Sequence, residues 1–566
     1  MSVSRRELLN AFLGLPAALA ACRHASNRSP AMPAGEIAFR REVIGHRLRD
    51  QPPIEPLAGR WENATVVIVG AGIAGLAAAW RLFRAGLEDF VILELDATPG
   101  GTSRSASASA GGGYPWGAHY ITVPMKESRA VLALLSEMSV LEGFDSDGEP
   151  IVAEQHLCRD PQERVFYRGY WYEDLYLYAG ASAEDTRQRK AFDAEVGRLA
   201  EWRDSRGRRA FAMPSSRSSD DAEILALDRM TMAQWMDGKG FTSPRLRWYV
   251  EYGCRDDYGL RMTDTSAWAG LFYHVARVTK AGSDYQPVIT WPEGNGRLVA
   301  HLSRVAGKRL RLGRAVVDIR HRKGDSPDNQ PIASGYSGRP IDPGGTIEVI
   351  ALTHGGRDAA GIRAKNVIFA APHFLTPHLI RDYRSARPAH VDEFDYGSWM
   401  VANLTLRDRP LGRGFPLAWD NVLYDSPSLG YVVSTHQRGL DHGPTIITYY
   451  YPLLASDSRA ARSRLLQAGW AEWAEVALSD LERAHPDIRA LTERIDIARW
   501  GHAMIRPRPG FITGQARKAA LLPHRGIHFA HSDLSGISLF EEAFDHGVRA
   551  AEEVLVARSI AHESMR

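Results

Sequence analysis

The sequence predicts an α/β fold in which a mostly parallel sheet is interleaved along the chain with a second, α+β region built on a mixed sheet. Three observations predict this fold. A short apolar segment at 65–69 runs directly into a glycine-rich turn and an alanine-rich helix, as a buried parallel strand does. Short apolar segments of the same kind recur in the middle and near the end of the chain. Between them, at 373–515, strand-like segments alternate apolar with polar or aromatic residues, which is typical of a half-buried sheet.

The first element is the stretch VVIVGAGIAGLAAAW, which begins at Val66. Gly70 allows a tight turn after the strand, Gly72 lets the backbone approach a pyrophosphate, and Gly75 lets the next helix pack closely on the strand. The helix is predicted over Ile73–Arg84, and its N-terminal N–H groups point at the anion. The spacing therefore indicates a turn that binds phosphate.

The second strand is predicted at 90–95, in FVILEL, and Glu94 lies near its end. An acid about 20 residues beyond the glycines is where a Rossmann-type unit binds a ribose hydroxyl. A glycine-rich turn can also exist without a ligand, but the full set of strand, turn, helix, strand and acid favours an adenine dinucleotide. A second turn, Gly100 and Gly101 followed by Arg104, is placed to meet the pyrophosphate from the other side.

Composition limits the remaining possibilities. At 566 residues the chain is longer than one ordinary domain, and a formal net charge of +2 gives no footprint for nucleic acid. No uncharged run of about 18 residues follows the N-terminal region, so no membrane-spanning helix is expected in the mature chain. The cysteines show no metal-binding spacing, so no metal site is predicted. Cys158 and Cys254 form either one disulfide or two buried thiols.

Residues 1–22 have the layout of an export signal, with paired Arg5 and Arg6, a short apolar stretch and then Cys22. The arginine pair resembles a bacterial twin-arginine signal, which implies the twin-arginine export machinery as a partner. LAAC resembles a lipobox, in which Cys22 becomes the lipidated first residue, and ordinary cleavage near Ala21 is the alternative. Both interpretations place the protein in the periplasm, and the first attaches it to the membrane only through an N-terminal lipid.

Four blocks, in this order, resemble the FAD-dependent amine oxidase and phytoene desaturase superfamily. They are VVIVGAGIAGLAAAWRL…VILE, PGGTSRS, GNGRLVAHL…LGRAVVDI…KNVIFAAP and GIHFAHSDLSG…EEAFDHGVRAAEEV, and they span nearly all of the chain after about residue 62. The resemblance implies a permanently bound FAD, with Val316 behind the adenine and Asp533 beside the ribityl-pyrophosphate. No cysteine or histidine lies in a flavin-attachment motif, so the FAD is expected to be noncovalent.

The distribution of these blocks implies a split domain layout. The expected FAD-binding segments are 61–125, 286–385 and 516–560, and the expected substrate-binding segments are 126–285 and 386–515. Residues 23–60, rich in proline, arginine and alanine, are predicted to be a tether. The polar insertion at 325–345 is predicted to be a mobile surface loop.

The resemblance breaks where it bears on substrate. In the monoamine oxidases of this superfamily two tyrosines enclose the amine, and a lysine holds a water at the reactive nitrogen of the flavin. Here Leu539 stands at one tyrosine position, Gly514 or Gln515 at the other, and no lysine lies at 401–403. These departures favour a dehydrogenase that passes electrons to an acceptor other than oxygen. WDNVLYDSPSLGYVVSTHQ and WGHAMIRPRPG resemble the bacterial spermidine-dehydrogenase-like branch.

Three side chains are the candidate catalytic residues: His119, Trp399 and His502. His119 directly follows the second glycine-rich block, where the chain leaves the pyrophosphate for the flavin. Aromatic candidates suit the wall of an apolar or cationic pocket. Each candidate has a structural alternative, either a hydrogen-bonded histidine or a core aromatic residue. The weaker candidates are Trp116, Tyr431 and His436.

The predicted function is that of a periplasmic FAD-dependent oxidoreductase that takes hydride from a carbon next to nitrogen in a polyamine-like amine. The alternative is a flavin desaturase or oxidoreductase acting on a lipid-like polyene or isoprenoid at the membrane surface. A flavoprotein without turnover is a further possibility. Acidic residues around the pocket would favour the amine, and an apolar tunnel would favour the lipid.

Overall fold

The structure is a computed structural model that describes most of the chain. The described residues are 32–39, 55–57, 59–108, 112–283, 285, 287–322, 345–352 and 358–566. The predicted export signal at 1–22 lies outside them, as do most of the predicted tether and, apart from Gly345, the predicted surface loop.

The described chain contains two large sheets and three two-stranded ones. In chain order the strands are β1 (Ala34–Ala38), β2 (Trp61–Val69), β3 (Phe90–Leu93), β4 (Ser105–Ala108), β5 (Gly112–Pro115), β6 (Tyr120–Thr122), β7 (Leu141–Phe144), β8 (Pro150–Val152), β9 (Glu163–Tyr167), β10 (Tyr170–Glu173), β11 (Val288–Thr290), β12 (Leu310–Arg311), β13 (Ala315–His321), β14 (Ile347–Leu352), β15 (Ala359–Phe369), β16 (Tyr396–Leu406), β17 (Asp420–Leu423), β18 (Gly430–Val433), β19 (Thr445–Leu453), β20 (Thr492–Ile505) and β21 (Ile527–Phe529).

The helices cover both large sheets. In chain order they are α1 (Ile73–Arg84), α2 (Arg129–Glu137), α3 (Ala183–Glu201), α4 (Ala222–Ala226), α5 (Met232–Gly238), α6 (Pro244–Tyr258), α7 (Ala267–Val275), α8 (Gly296–Ala306), α9 (Thr376–Leu379), α10 (Arg381–Ser385), α11 (Ser458–Gln467), α12 (Trp470–Glu482), α13 (Ile488–Leu491), α14 (Gln515–Ala520) and α15 (Phe540–Ala557). None of the described helices combines the length and the apolar character needed to cross a membrane.

The first large sheet has the order β12–β3–β2–β15–β14–β13, with β21 paired to β15. Its centre is parallel, because β2 runs parallel to β3 and β15, and β21 runs parallel to β15. The strands β13, β14 and β15 are antiparallel neighbours. On one face α1 and α15 pack so closely that a Cβ on Gly547 would lie 2.2 Å from the Ala74 carbonyl oxygen. This arrangement confirms the predicted α/β fold class.

The second large sheet has the order β1–β20–β16–β19–β18–β17–β9–β10 and is mixed, as predicted. Only the pairs β1–β20 and β17–β9 are parallel within it. The helices α3, α6 and α7 contribute to a buried apolar cluster on one face, and α12 packs on the other. The strands of the two sheets alternate along the chain, which is the interleaving that the fold class implies.

The predicted tether contains a strand that the sequence did not indicate. Residues 34–38 form β1, which pairs in parallel with β20 at the edge of the second sheet. A Cβ on Gly35 would lie 1.8 Å from the Ile495 carbonyl oxygen, so only glycine allows the two backbones to approach this closely. A single edge strand of sequence AGEIA has too little periodicity to be distinguished from coil.

Cys158 and Cys254 are both free and buried. Burial raises the pKa of each thiol. Of the two alternatives that the sequence left open, the structure has two buried thiols and no disulfide between them.

Candidate active site

The three glycines of the first turn have different surroundings. Gly70 has a left-handed φ of +99°, and a Cβ on it would lie 2.9 Å from the Ala370 carbonyl oxygen. A Cβ on Gly75 would lie 1.9 Å from the carbonyl oxygen of Gly70, so the start of α1 packs directly on the turn. Gly72, in contrast, has an extended backbone, and a Cβ there would have no neighbour within 4 Å among the described residues. The turn thus leaves open space at the N-terminus of α1.

The second glycine-rich turn lies against the first. The Gly100 N–H donates a hydrogen bond of 2.8 Å to the carbonyl oxygen of Ala71. A Cβ on Gly101 would lie 3.5 Å from the Gly72 Cα. Both glycines of the second turn have positive φ, +111° for Gly100 and +58° for Gly101. The two turns, separated in sequence, therefore form one surface beside the N-terminus of α1.

Glu94 and Arg104 border this surface. The Glu94 carboxylate accepts hydrogen bonds from the backbone N–H groups of Ala71 and Asp96, at 2.7 and 2.9 Å. Burial raises the pKa of Glu94. Arg104 donates to the Gly101 carbonyl oxygen at 2.9 Å and to the Asp96 carboxylate at 2.7 Å. The buried Nη1 of Arg104 has no hydrogen-bond partner among the described residues. The open space at the first turn and this spare donor fit an adenine dinucleotide.

Asp533 lies just before α15 and is 1% exposed. Its carboxylate accepts hydrogen bonds from the His373 backbone N–H at 2.9 Å and the Tyr396 hydroxyl at 2.7 Å. Burial alone would raise the pKa of Asp533, but His531 at 2.8 Å and these hydrogen bonds hold it below its ordinary value. Val316 is a buried residue of β13, next to a bulge in its pairing with β14. The predicted FAD contacts of these two residues stay predictions.

A cavity of about 1120 Å³ lies beside the second glycine-rich turn. Its lining joins the two halves of the fold, because Thr102, Asn295 and Leu539 come from the predicted cofactor segments and Val401 and Tyr450 from the second sheet. This volume is slightly above the usual range for ligand pockets, so the cavity can accommodate more than one small molecule.

Acidic side chains dominate the charge of this cavity. Two arginines also line it, and both have acidic partners: Arg277 lies 3.1 Å from Asp257, and Arg189 lies 2.9 Å from Asp193. Acidic lining residues outnumber these arginines by eight to two. The lining acids are Asp160, Glu163, Glu173, Asp174, Asp256, Asp257, Asp420 and Glu541.

Of the eight lining acids, Asp257 is the one with a cationic partner within ion-pair distance in the described part of the chain. Among the other seven, Glu163, Asp256 and Asp420 lie close enough together to repel one another. Glu163 and Asp420 are direct neighbours in the pairing of β9 with β17. Glu163 is exposed to the cavity, and the surrounding protein raises its pKa to about 7 through burial and through repulsion from Asp174. Burial and neighbouring carboxylates also raise the pKa of Asp256 and of Asp420. The cavity therefore favours a ligand that brings positive charge.

Aromatic rings form much of the remaining wall. The ring of His119 has its centroid 5.0 Å from those of Tyr120 and Tyr450 and 5.4 Å from that of Trp419. Tyr120 and Trp419 meet edge to face at 5.7 Å. Aromatic faces attract ammonium groups, most strongly where water is excluded. The walls and the acids therefore favour the same class of ligand.

His119 lines the cavity, its catalytic role stays a prediction, and its hydrogen bonds indicate which ring nitrogen carries the hydrogen. The Tyr450 hydroxyl donates to the Gly117 carbonyl oxygen at 2.8 Å and lies 2.9 Å from the His119 Nδ1. Since that hydroxyl has only one hydrogen, we assign the hydrogen of the imidazole to Nδ1. Burial lowers the pKa of His119 to about 4, so the ring is neutral at pH 7. Its Nε2 is left as a hydrogen-bond acceptor.

The other two candidate catalytic residues differ in whether they line the cavity. Trp399 lines the cavity, and its indole N–H has no hydrogen-bond partner among the described residues. His502 does not line the cavity, and its ring stacks on Phe374 at 3.8 Å. Two extra residues of β20 between the pairs Trp399–Trp500 and Gly397–Met504 form a bulge that changes the alternation there. His502 therefore lies outside the described lining of the cavity, beside Phe374 and Tyr396.

The weaker candidates also lie elsewhere. Trp116 packs on Phe39 in an edge-to-face contact. Tyr431 belongs to the cluster on the opposite face of the second sheet. His436 is bonded to the Arg159 carbonyl oxygen. None of the three is among the described residues that line the cavity.

Some of the positions at which this sequence departs from the resemblance line the cavity. Leu539 lines it at one of the two positions where the resemblance places a tyrosine, and Val401 lines it in the segment 401–403 where the resemblance places the lysine. Gly514 and Gln515 are not among the described lining residues. The acids, by contrast, were not predicted by the sequence. They come from separate segments, and none of them stands in a motif that distinguishes it from a surface acid.

Comparison with known proteins places part of the chain in a known class. Residues 68–138 match the family described as the NAD(P)-binding Rossmann-like domain. No curated protein matches the chain. The overall architecture is similar to the fold of solved amine oxidase structures.

Solved structures resemble nearly the whole chain. Putrescine oxidase bound to putrescine has a TM-score of 0.61 at 15% identity, and cyclohexylamine oxidase from Brevibacterium oxydans IH-35A has 0.57 at 15%. A CLA-producing fatty acid isomerase from P. acnes has 0.59 at 16%. Each match covers 88% of this chain and 99% of the other. The fold is thus shared by proteins that act on amines and on fatty acids, and only the cavity can distinguish them.

Proposed function

We propose that this protein is an FAD-dependent oxidoreductase that oxidises a polyamine-like amine carrying more than one positive charge. The observation that carries the proposal is the cavity beside the second glycine-rich turn, whose described lining contains eight acids, many aromatic rings and two arginines. Such a lining attracts a polycation and leaves an anion without a partner.

The cofactor is held by the two glycine-rich turns in this proposal. The open space at Gly72 and the N-terminus of α1 receive the pyrophosphate, Glu94 accepts from the ribose hydroxyls, and Arg104 supplies its spare Nη1 donor. FAD, when bound, supplies the acceptor for a hydride from the carbon next to the reacting nitrogen. This chain's part is to bind and orient both molecules and to exclude water.

The substrate is held by charge at one end and left neutral at the other. Glu163, Asp256 and Asp420 line the cavity without cationic partners among the described residues and would bind an ammonium group of the substrate. Loss of hydride requires a neutral amine, because an ammonium nitrogen has no lone pair to stabilise the product imine. His119 is neutral and can accept a hydrogen bond from that amine through Nε2. The imine then hydrolyses to an aldehyde.

A lipid-like substrate is less well supported by the same cavity. A fatty acid would bring a carboxylate into a lining rich in carboxylates, and a polyene would leave the acids without a cation. We further propose an electron acceptor other than oxygen. Val401 lies where the resemblance places the lysine, and Leu539 lies where it places one of the tyrosines.

Reduction of the flavin without oxygen tests the proposed reaction. Wild-type protein mixed anaerobically with 1,4-diaminobutane should lose its flavin absorbance, and 4-aminobutanal together with the cyclic imine that it forms by loss of water should appear in equal amount. n-Butylamine, with the same carbon chain and one charge fewer, is the matched control and should need about 10- to 100-fold higher concentration. A flavin bleached by a polyene or fatty acid but by no amine would overturn the proposal.

We also propose that the protein is exported through its twin-arginine signal and anchored through Cys22. Cys22→Ser should abolish labelling with a fatty-acid probe while the protein still reaches the periplasm. Arg5→Lys together with Arg6→Lys should stop export. A cytoplasmic protein with an intact N-terminus would contradict both parts.

A further inference from the structure

Asn295 is the most anomalous polar residue beside the cavity. It is 0% exposed, and neither its Nδ2 nor its Oδ1 has a hydrogen-bond partner among the described residues. It immediately precedes α8, a position where asparagine usually caps a helix, yet its side chain makes no capping hydrogen bond. A buried amide that forms none of its possible bonds is costly, so its partner is expected to be a ligand.

The turn around Asn295 holds this amide close to the second glycine-rich turn. A Cβ on Gly294 would lie 2.8 Å from the His119 Cα, and a Cβ on Gly296 would lie 2.1 Å from the Ser105 Oγ. The Asn295 N–H donates to the Ala118 carbonyl oxygen at 3.3 Å. Two flanking glycines thus seat Asn295 between the second glycine-rich turn and His119.

We propose that Asn295 anchors the polyol chain that joins the pyrophosphate of FAD to its flavin. The inference rests on the proposed function, because it requires FAD. The Ala118 N–H donates to the Thr102 carbonyl oxygen at 3.0 Å, so two backbone hydrogen bonds link Asn295 through Ala118 to the second glycine-rich turn, which receives the pyrophosphate in the proposed function. A polyol hydroxyl both donates and accepts, and an amide offers one group of each kind. Asn295 is therefore a positioning residue for the cofactor.

The same helix offers a matched control. The Ser303 hydroxyl of α8 is also buried and has no hydrogen-bond partner among the described residues, but Ser303 does not line the cavity. Asn295→Leu and Ser303→Ala each remove an unpaired polar group from the protein. Only the first removes a proposed contact with FAD.

The experiment measures the FAD dissociation constant by flavin fluorescence and the melting temperature with and without FAD. Asn295→Leu should raise the dissociation constant about 10- to 100-fold, while the melting temperature of the FAD-free protein stays the same or rises. Ser303→Ala should leave the dissociation constant within about twofold of wild type. Asn295→Ala gives the same loss of the amide with less bulk if the leucine does not fit.

The outcomes separate this inference from the proposed function. Wild-type protein that takes up no FAD would overturn both. Wild type and Asn295→Leu that bind FAD equally well would overturn the inference alone. Unchanged FAD binding with weakened amine binding would also overturn it, because the amide would then serve the substrate.

Discussion

The glycine-rich turns and the acidic cavity adjoin one another, but they are built on different principles. In the turns, backbone atoms form most of the surface, and Glu94, Arg104 and the glycines lie within about 40 positions of one another in the sequence. In the cavity, side chains from distant segments supply the charge, and Glu163, Asp256 and Asp420 have no cationic partner among the described residues. The first region is defined by shape and local sequence, and the second by charge brought together through the fold.

The largest expected effect separates two glycines of the same turn. Gly72→Val should fold, because the backbone there is extended and a Cβ has no neighbour within 4 Å among the described residues. It should nevertheless lose FAD binding by more than about 100-fold, since the side chain takes the space that a pyrophosphate needs. Flavin content after purification and circular dichroism measure the two properties.

Gly75→Val is the matched comparison for Gly72→Val. A Cβ at this position would lie 1.9 Å from the Gly70 carbonyl oxygen, so this variant should fail to fold. A Gly72→Val protein that is as yellow as wild type would show that the first turn does not hold the pyrophosphate.

The next effect concerns the charge of the cavity. Glu163→Gln and Asp420→Asn should each raise the KM for a diamine about 10- to 100-fold, because each removes a charged hydrogen-bond partner of an ammonium group. Asp441→Asn, which removes one charge from an exposed side chain, is the control and should change KM less than about twofold. Equal effects of all three variants would mean that only the net charge of the protein matters.

The pH dependence should distinguish the cavity from the rest of the surface. The pKa of Glu163 and that of Glu541 are raised from 4.5 to about 7, chiefly by burial. Binding of a bis-quaternary diammonium, whose charge does not titrate, should therefore tighten about tenfold between pH 6 and 8 as these acids ionise. Fluorescence titration of the wild-type protein measures this, and affinity that does not change with pH would contradict it.

The same groups affect stability in the opposite direction. Between pH 4.5 and about 7 the folded protein holds more protons on Glu163 and Glu541 than the unfolded chain does. Their contribution to the free energy of unfolding therefore falls as the pH rises through this window. Adding the diammonium should reduce that fall, because a bound cation stabilises the ionised carboxylates.

The smallest expected effect tests the orientation of His119. Tyr450→Phe removes the hydroxyl that contacts both Gly117 and His119 and should slow flavin reduction about fivefold to tenfold without changing its pH profile. Tyr449→Phe is the control on the same strand, because its hydroxyl is bonded to Asp480 instead. A rate that falls equally in both variants would indicate a general effect on β19.

Local features of the sequence predicted the first half of the site well. The helix α1 has the predicted bounds Ile73–Arg84, and β2 ends at Val69 as predicted, although it begins earlier, at Trp61. The predicted surroundings of Gly70 and Gly75 are also observed. These features follow from hydrophobic periodicity and from glycine's freedom at tight turns, which act over a few residues.

Two features of the structure, the strand β1 and the position of His502, did not follow from local patterns in the sequence. The edge strand β1 exists because β20 offers it a partner more than 450 residues away. His502 is absent from the described lining of the cavity although Trp500 and Met504 belong to it, because a bulge in β20 changes the alternation of side chains there, and a bulge of this kind leaves no clear mark in the sequence. Trp399, in contrast, reaches the cavity from the partner strand.

By itself, the sequence determined the α/β class and the two glycine-rich turns, and it predicted an adenine dinucleotide beside them, because each of these inferences depends on residues close together in the chain. Only the tertiary structure decided what lies opposite those turns. Glu163 and Asp420 become neighbours through the pairing of β9 with β17, and Glu541 reaches the same cavity from the start of α15. These carboxylates are far apart in the sequence and share no pattern, so only the fold brings them together. Their pKa values are raised because the surrounding protein buries them and because neighbouring carboxylates repel one another.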